Sequence, residues 1–153
     1  MSEEQDSPYT IQGQYIKDLS FENPNPLESF GDHSQFDPEV SIGIEVTAHS
    51  LNEEVFEVLL DVQVTAKKDG ETMFLVELSY GSIVTIGSVE KEMIGPLLMV
   101  HCPTMMFPFV RNIVAQVTRD GGYPPLYLSP VDFWDLYQER ELGQEGNTST
   151  TVN

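Results

Sequence analysis

Basic side chains are scarce in this chain: 7 Lys and Arg stand against 25 Asp and Glu, for a formal net charge of −18 over 153 residues. Such a surface repels phosphate backbones and anionic headgroups, so neither nucleic acid nor a membrane surface is an expected partner. Basic or partly cationic unfolded polypeptides suit it better, although the same acidity also serves plain solubility. Cysteine is nearly absent. Cys102 stands alone, which excludes an intrachain disulfide framework and suits a reducing compartment. Long apolar runs are missing too. The best, at 93–100 and 105–110, are punctuated by Pro96, Pro103 and Pro108 and fall short of the roughly 20 residues that cross a bilayer. The start, Met1–Ser7, is acidic and has no apolar stretch of the kind a secretory signal needs. These absences lead to a cytoplasmic protein without membrane insertion. The expected organisation is a disordered acidic N-terminus over 1–8, one domain over 9–142, and a disordered polar tail over 143–153.

What is present is a β-rich block followed by helical segments. Residues 9–21 alternate imperfectly through Tyr9, Ile11, Tyr15, Ile16, Leu19 and Phe21, which predicts a strand with a bulge. The prolines of 23–38 predict a loop. Val40, Ile42, Ile44 and Val46 then alternate with Ser41, Gly43, Glu45 and Thr47, a clean period of two. A turn over His49–Asn52 leads to a third strand, with Val58, Leu60, Val62 and Val64 on one face. Asp69-Gly70 is a hairpin turn, because both residues tolerate positive φ. The fourth strand sets Phe74, Val76, Leu78 and Tyr80 against Met73, Leu75, Glu77 and Ser79. The fold class is therefore α+β: a four-stranded antiparallel sheet, apolar on one face and carrying Glu45, Glu57, Asp61 and Glu77 on the other.

The apolar face must be covered. Residues 90–119 carry apolar side chains at helical spacing, but Pro103 and Pro108 predict a broken helix with its better half over 107–119. After Asp120-Gly121-Gly122, the segment 122–130 reads as an extended and oddly apolar loop. Ser129, Pro130 and Asp132 then predict the cap and first turn of a last helix, running to about 142. Two such helices do not obviously bury Tyr123, Leu126, Tyr127 and Leu128 as well. That surplus completes a monomer core, is buried between copies, or lines a groove for extended peptide.

Candidate chemistry is thin. His101-Cys102 is the most reactive-looking pair, yet no second Cys exists and the other histidines, His33 and His49, fall in expected loops. Gly81 and Gly87 lack the spacing and the following Lys of a phosphate cradle. Carboxylates on an open sheet face have little burial to separate their pKa values. No enzyme activity, cofactor or metal is expected.

Several blocks in fixed order resemble the SecB family of protein-export chaperones. They are Tyr15–Asn25, Asp37–Val40, Glu71–Glu77, Cys102-Pro103, Phe107–Arg111 and Tyr123–Phe133, together spanning roughly residues 9–140. The resemblance implies an ATP-independent holdase that binds unfolded secretory precursors in the cytosol and delivers them to the translocase motor SecA. It also implies a homotetramer, a dimer of dimers with helices between sheets. Groove positions of the family match Phe36, Val40, Ile42, Phe74, Tyr80, Tyr123, Leu126 and Tyr137. The family often has Trp at position 36, and Phe there keeps the apolar contact without the indole donor. The SecA-binding face matches Asp18, Glu22, Leu75 and Glu77. Residues 147–153 carry no charged side chain, a departure from the acidic tail common in the family. Two other readings remain: a SecB-like chaperone dedicated to one partner, such as a toxin–antitoxin pair, and a small enzyme with an apolar pocket.

Overall fold

The structure, a computed structural model, describes residues 7–31 and 37–146. Phe36 lies outside the described residues, as do 1–6 of the stretch 1–8 and 147–153 of the stretch 143–153 that were expected to be disordered, whereas 143–146 are helical. Four strands, β1 (Tyr9–Glu22), β2 (Glu39–Ser50), β3 (Val55–Lys68) and β4 (Glu71–Ile86), form one antiparallel sheet in the order β1-β4-β3-β2. The hairpin turn falls where expected, with Asp69 at φ 52° and Gly70 at φ 81°. In the preceding turn, Asn52 Oδ1 accepts from the amides of Glu54 and Val55, each at 2.9 Å.

The imperfect alternation of β1 has a structural cause. Its pairing with β4 shifts register between Ile11 and Gly13, and again between Ile16 and Asp18. Each bulge resets the phase by one residue. Tyr9, Ile11, Ile16, Leu19 and Phe21 consequently lie opposite Ile86, Val84, Tyr80, Leu78 and Val76. Five side chains that defy simple alternation thus share one face.

That face is the covered one. Val58, Leu60, Val62 and Val64 of β3 and Phe74, Val76, Leu78 and Val84 of β4 are buried. Burying each such side chain stabilises the fold by about 1.5–3 kcal/mol. Their cover is helical from Lys91 to Asp120: α2 (Lys91–Pro96), a π-helical turn (Leu97–His101) and α3 (Cys102–Asp120). The expected break is therefore a change of pitch. In the π turn the Cys102 amide donates to Leu97, five residues back, and Pro103 occupies the first turn of α3, where no amide is needed. Pro108 is accommodated within α3 on an exposed position. This stretch of 30 residues is long and apolar enough, by length and composition alone, to cross a membrane, which the sequence reading had excluded. Here it is a core helix, with Cys102, Met106, Val110 and Val114 buried against the sheet.

Between β1 and β2 the expected loop contains a short helix, α1 (Pro26–Gly31). The apolar segment after α3 is extended as read, and its backbone is tied down rather than free. Thr118, fully buried, accepts from the Leu126 amide at 3.0 Å, and Arg111 Nε donates to the Leu128 carbonyl at 3.0 Å. The Arg111 guanidinium also lies 4.8 Å above the Tyr127 ring. The last helix, α4 (Phe133–Gly146), is capped by Asp132, whose Oδ1 accepts from Trp134 and Asp135. Ser129 is not the cap, because the helix starts later than expected, and it also runs past 142. Arg140 Nη1 donates to Val46 O at 2.7 Å and fastens α4 to β2.

Candidate functional site

Two surfaces on opposite sides of the sheet collect the residues of interest. The open face is acidic. Across β1 and β4, Asp18 lies opposite Ser79, Ser20 opposite Glu77, and Glu22 opposite Leu75. The four positions Asp18, Glu22, Leu75 and Glu77 therefore occupy three neighbouring rows of one face, on strands about 4.8 Å apart. The Asp18–Ser79 row continues through Asp61 to Glu45 at the β2 edge. Asp61 and Glu45 are directly opposed like charges, an arrangement that costs stability. Among the described residues, no ion pair engages Asp18, Glu22, Glu45, Asp61 or Glu77. The Gln63 amide donates to Glu77 at 3.3 Å and leaves its charge in place.

Glu57, grouped with these carboxylates by sequence, is different. Lys17 pairs with it at 2.8 Å, and the Tyr15 hydroxyl donates to its other oxygen. The bond from Lys17, then that from Tyr15, holds the Glu57 carboxyl below its usual range. Burial, with Glu57 second, pushes Tyr15 up to about 12. The Tyr15 ring reaches across β4 only because Gly81 has no side chain: a Cβ there would sit 2.6 Å from Cε2. The open face is thus divided into a neutralised Tyr15–Lys17–Glu57 corner and an uncompensated acidic stripe.

The other surface lies on the helix side. Phe74 packs 4.9 Å from Tyr123 and 5.9 Å from Phe21, ring centre to ring centre. The Tyr123 hydroxyl is 2.6 Å from Asn23 Oδ1 and 3.1 Å from Met73 O. Phe74 and Tyr123 are buried, and Leu126 is half-buried beyond them. Along the same ladder, Ala66 separates Phe74 from Val40, and Val64 lies beside Ile42. Val40 and Ile42 are 38% and 45% exposed, an apolar strand end on the helix side that the helices do not cover. Tyr80 and Tyr137 sit elsewhere. Tyr80 stacks on Phe109 of α3 at 6.3 Å and donates to Gln14 at 3.1 Å. The Tyr137 hydroxyl rests over Gly95 of α2, and its ring lies 5.9 Å from Trp134.

The sequence reading missed Phe21 and Phe30 as members of this aromatic cluster. The signal was Gly121-Gly122: a Cβ on Gly121 would collide with the Phe21 ring, and one on Gly122 with the Phe30 ring. Cys102 is fully buried between Ser82, at 3.3 Å, and Met106, at 3.7 Å. Burial pushes its thiol up, against a smaller downward pull from Ser82, so it is a poor nucleophile.

The chain thus combines a four-stranded antiparallel sheet, acidic on one face, with helices on the other and an apolar margin, and it shares its fold with a solved SecB-like chaperone. The SecB-like chaperone of Mycobacterium tuberculosis, solved with a peptide from the HigA1 antitoxin, superposes with a TM-score of 0.66 at 12% identity, over 81% of this chain and 91% of that one. Residues 2–144 match the family described as preprotein translocase subunit SecB. The protein-export protein SecB of Bradyrhizobium diazoefficiens is 46% identical over 139 residues, covering 89% of this chain and 86% of that protein. That of Rhodospirillum centenum is 42% identical over 142 residues, covering 92% and 83%. The chain belongs to the SecB family of protein-export chaperones.

Proposed function

We propose that this protein is an ATP-independent holdase of the cytosol: a homotetramer that binds unfolded secretory precursors and delivers them to SecA. The observation that carries this reading is the division of labour between the two sheet faces. The helix side leaves Val40 and Ile42 open beside a buried aromatic cluster, a surface suited to extended apolar segments. The opposite side presents the stripe of Asp18, Glu22, Glu45, Asp61 and Glu77, suited to a basic docking partner such as SecA. Four chains would offer several weak grooves at high effective concentration, so avidity replaces sequence specificity and no ATP is consumed. Folded proteins would be ignored because their apolar segments are buried.

Native mass spectrometry of the chain, alone and with a precursor in unfolded and folded forms, tests the reading. A tetramer that takes up only the unfolded precursor is the expected result, and a monomer indifferent to unfolded chains would overturn it. Two substitutions separate the faces. Glu77→Lys is expected to weaken SecA binding by about a hundredfold, since a like-charge juxtaposition at an interface costs several kcal/mol, while client uptake is unchanged. Ile42→Asp should do the reverse. Equal losses of both activities in either variant would contradict the assignment of faces.

A further inference from the structure

We infer that Lys17 fixes which way round a basic partner lies on the acidic sheet face, by cancelling the carboxylate that would let it dock turned through half a circle. The inference rests on the SecA-docking reading above and adds a residue that determines orientation.

Four carboxylates, Asp18, Glu22, Asp61 and Glu57, form a two-fold pattern about Ser79. Asp18 of β1 and Asp61 of β3 flank Ser79 of β4 in one row. Glu22 lies four residues beyond Asp18 on β1, and Glu57 lies four residues before Asp61 on β3. Because β1 and β3 are each antiparallel to β4, they run parallel to one another. The two offsets therefore point in opposite directions, each reaching about 13 Å from the central row. A half turn about the sheet normal through Ser79 carries Asp18 to Asp61 and Glu22 to Glu57. Basic groups spaced to meet one pair would meet the other as well. Two further carboxylates break the pattern only in part. Glu77, between Ser20 and Gln63, has Gly81 as its counterpart, and Glu45 extends the central row at the β2 edge.

Lys17 completes the break. From its bulge it donates across β4 to Glu57 at 2.8 Å, while the Tyr15 hydroxyl takes the other carboxylate oxygen. Both oxygens are engaged, and the Lys17 side chain is 47% exposed against 16% for Glu57, so this end shows a cation to solvent. Among the described residues, no ion pair engages Asp18, Glu22, Asp61 or Glu77. Lys67, further toward the hairpin, stands opposite Glu39 rather than any of these carboxylates. The face thus has an anionic end at Glu22 and Glu77 and a neutral end at Glu57. Complementary charge fixes register more than affinity, and here it favours one of the two orientations.

The test uses the full chain and SecA. A photo-crosslinker is attached on the open face at Ser41→Cys, in the Glu22 row, or at Thr47→Cys, next to the Glu57 row. Cys102 is fully buried and stays unlabelled. In the otherwise wild-type chain the two positions are expected to capture two different SecA segments. Lys17→Met should make each position capture both. It should also tighten binding of an oligolysine peptide about two- to fivefold, the size of one exposed charge contact. Lys91→Met, which changes net charge equally but from the start of α2, should do neither. Lys17→Met with Glu57→Gln leaves this end neutral without the ion pair and should restore the separate pattern. If the wild-type pattern is already mixed, if Lys17→Met keeps the segments separate, or if the double variant stays mixed, the inference is overturned while docking on this face stands. If neither wild-type position captures SecA, the docking reading fails and the inference with it.

Discussion

Lys17 occupies the bulge between Ile16 and Asp18, and that one irregularity sends its ammonium to Glu57 on a strand two positions away in the sheet. The resulting Tyr15–Glu57–Lys17 group ties β1 to β3 across β4. Because the native Glu57 carboxyl lies below its unfolded value, its contribution is complete above about pH 4.3 and fades as pH falls through the native value. Glu57→Gln should therefore lower unfolding free energy by about 1 kcal/mol at pH 7, and the gap should close toward pH 3. Denaturant unfolding at the two pH values checks this, and a gap that does not change with pH would show that the carboxylate charge is irrelevant. The sequence placed Glu57 on the correct face but grouped it with the free carboxylates. Which carboxylate meets the cation depends on the bulge and on Gly81, both of which act across strands.

At the scale of elements, the strands follow from local pattern more closely than the helices do. β2, β3 and β4 alternate cleanly apart from one irregularity beside the hairpin, between Ala66 and Lys67, and the Asp69-Gly70 turn is dictated by its residues, so their pairing is largely legible in the chain. The helical cover is harder to read. Prolines argue against a continuous helix, yet the π turn and the placement of Pro103 let thirty residues stay helical against the sheet, where tertiary burial outweighs local propensity. α4 shows the opposite balance. It begins where Asp132 can satisfy two free amides, not at Ser129. Asp132→Ala should destabilise the protein by about 1 kcal/mol and loosen the Arg140–Val46 attachment, seen as faster amide exchange in the first turn of α4. Unchanged exchange there would mean that the cap is redundant with the packing of Phe133.

For the whole molecule, the outward side of α3 is an apolar surface that the described residues leave uncovered. Met105 and Phe109, one turn apart, are exposed, and Phe109 is 52% exposed although its ring lies on Tyr80. Ile16 stands beside Tyr80 and is exposed as well. A contiguous apolar strip of this kind is costly in water. In the proposed tetramer it is the surface pressed between two sheets. Phe109→Asp should leave circular dichroism unchanged but convert the tetramer to smaller species in native mass spectrometry. A tetramer that persists would move the assembly contact away from α3. The apolar surplus noted in the sequence thus divides in the fold: Leu128 and Tyr123 enter the core, Leu126 is half-buried, and Tyr127 stays exposed.

The acidic surface, the meander with its Asp-Gly hairpin, the extended apolar loop and the SecB family blocks follow from local sequence, because each is written in composition or in residues adjacent along the chain. Strand alternation also set Leu75 and Glu77 on the acidic face, and the family motifs alone added Asp18 and Glu22, which the sheet register brings to the same rows. That Phe30 lies on Tyr123, that Tyr80 and Tyr137 part from Phe74, and that Lys17 neutralises Glu57 emerge first in the folded chain. Those outcomes depend on inter-strand register and on which glycine a ring crosses. Both are settled by contacts between residues far apart in the chain, where local periodicity has no reach.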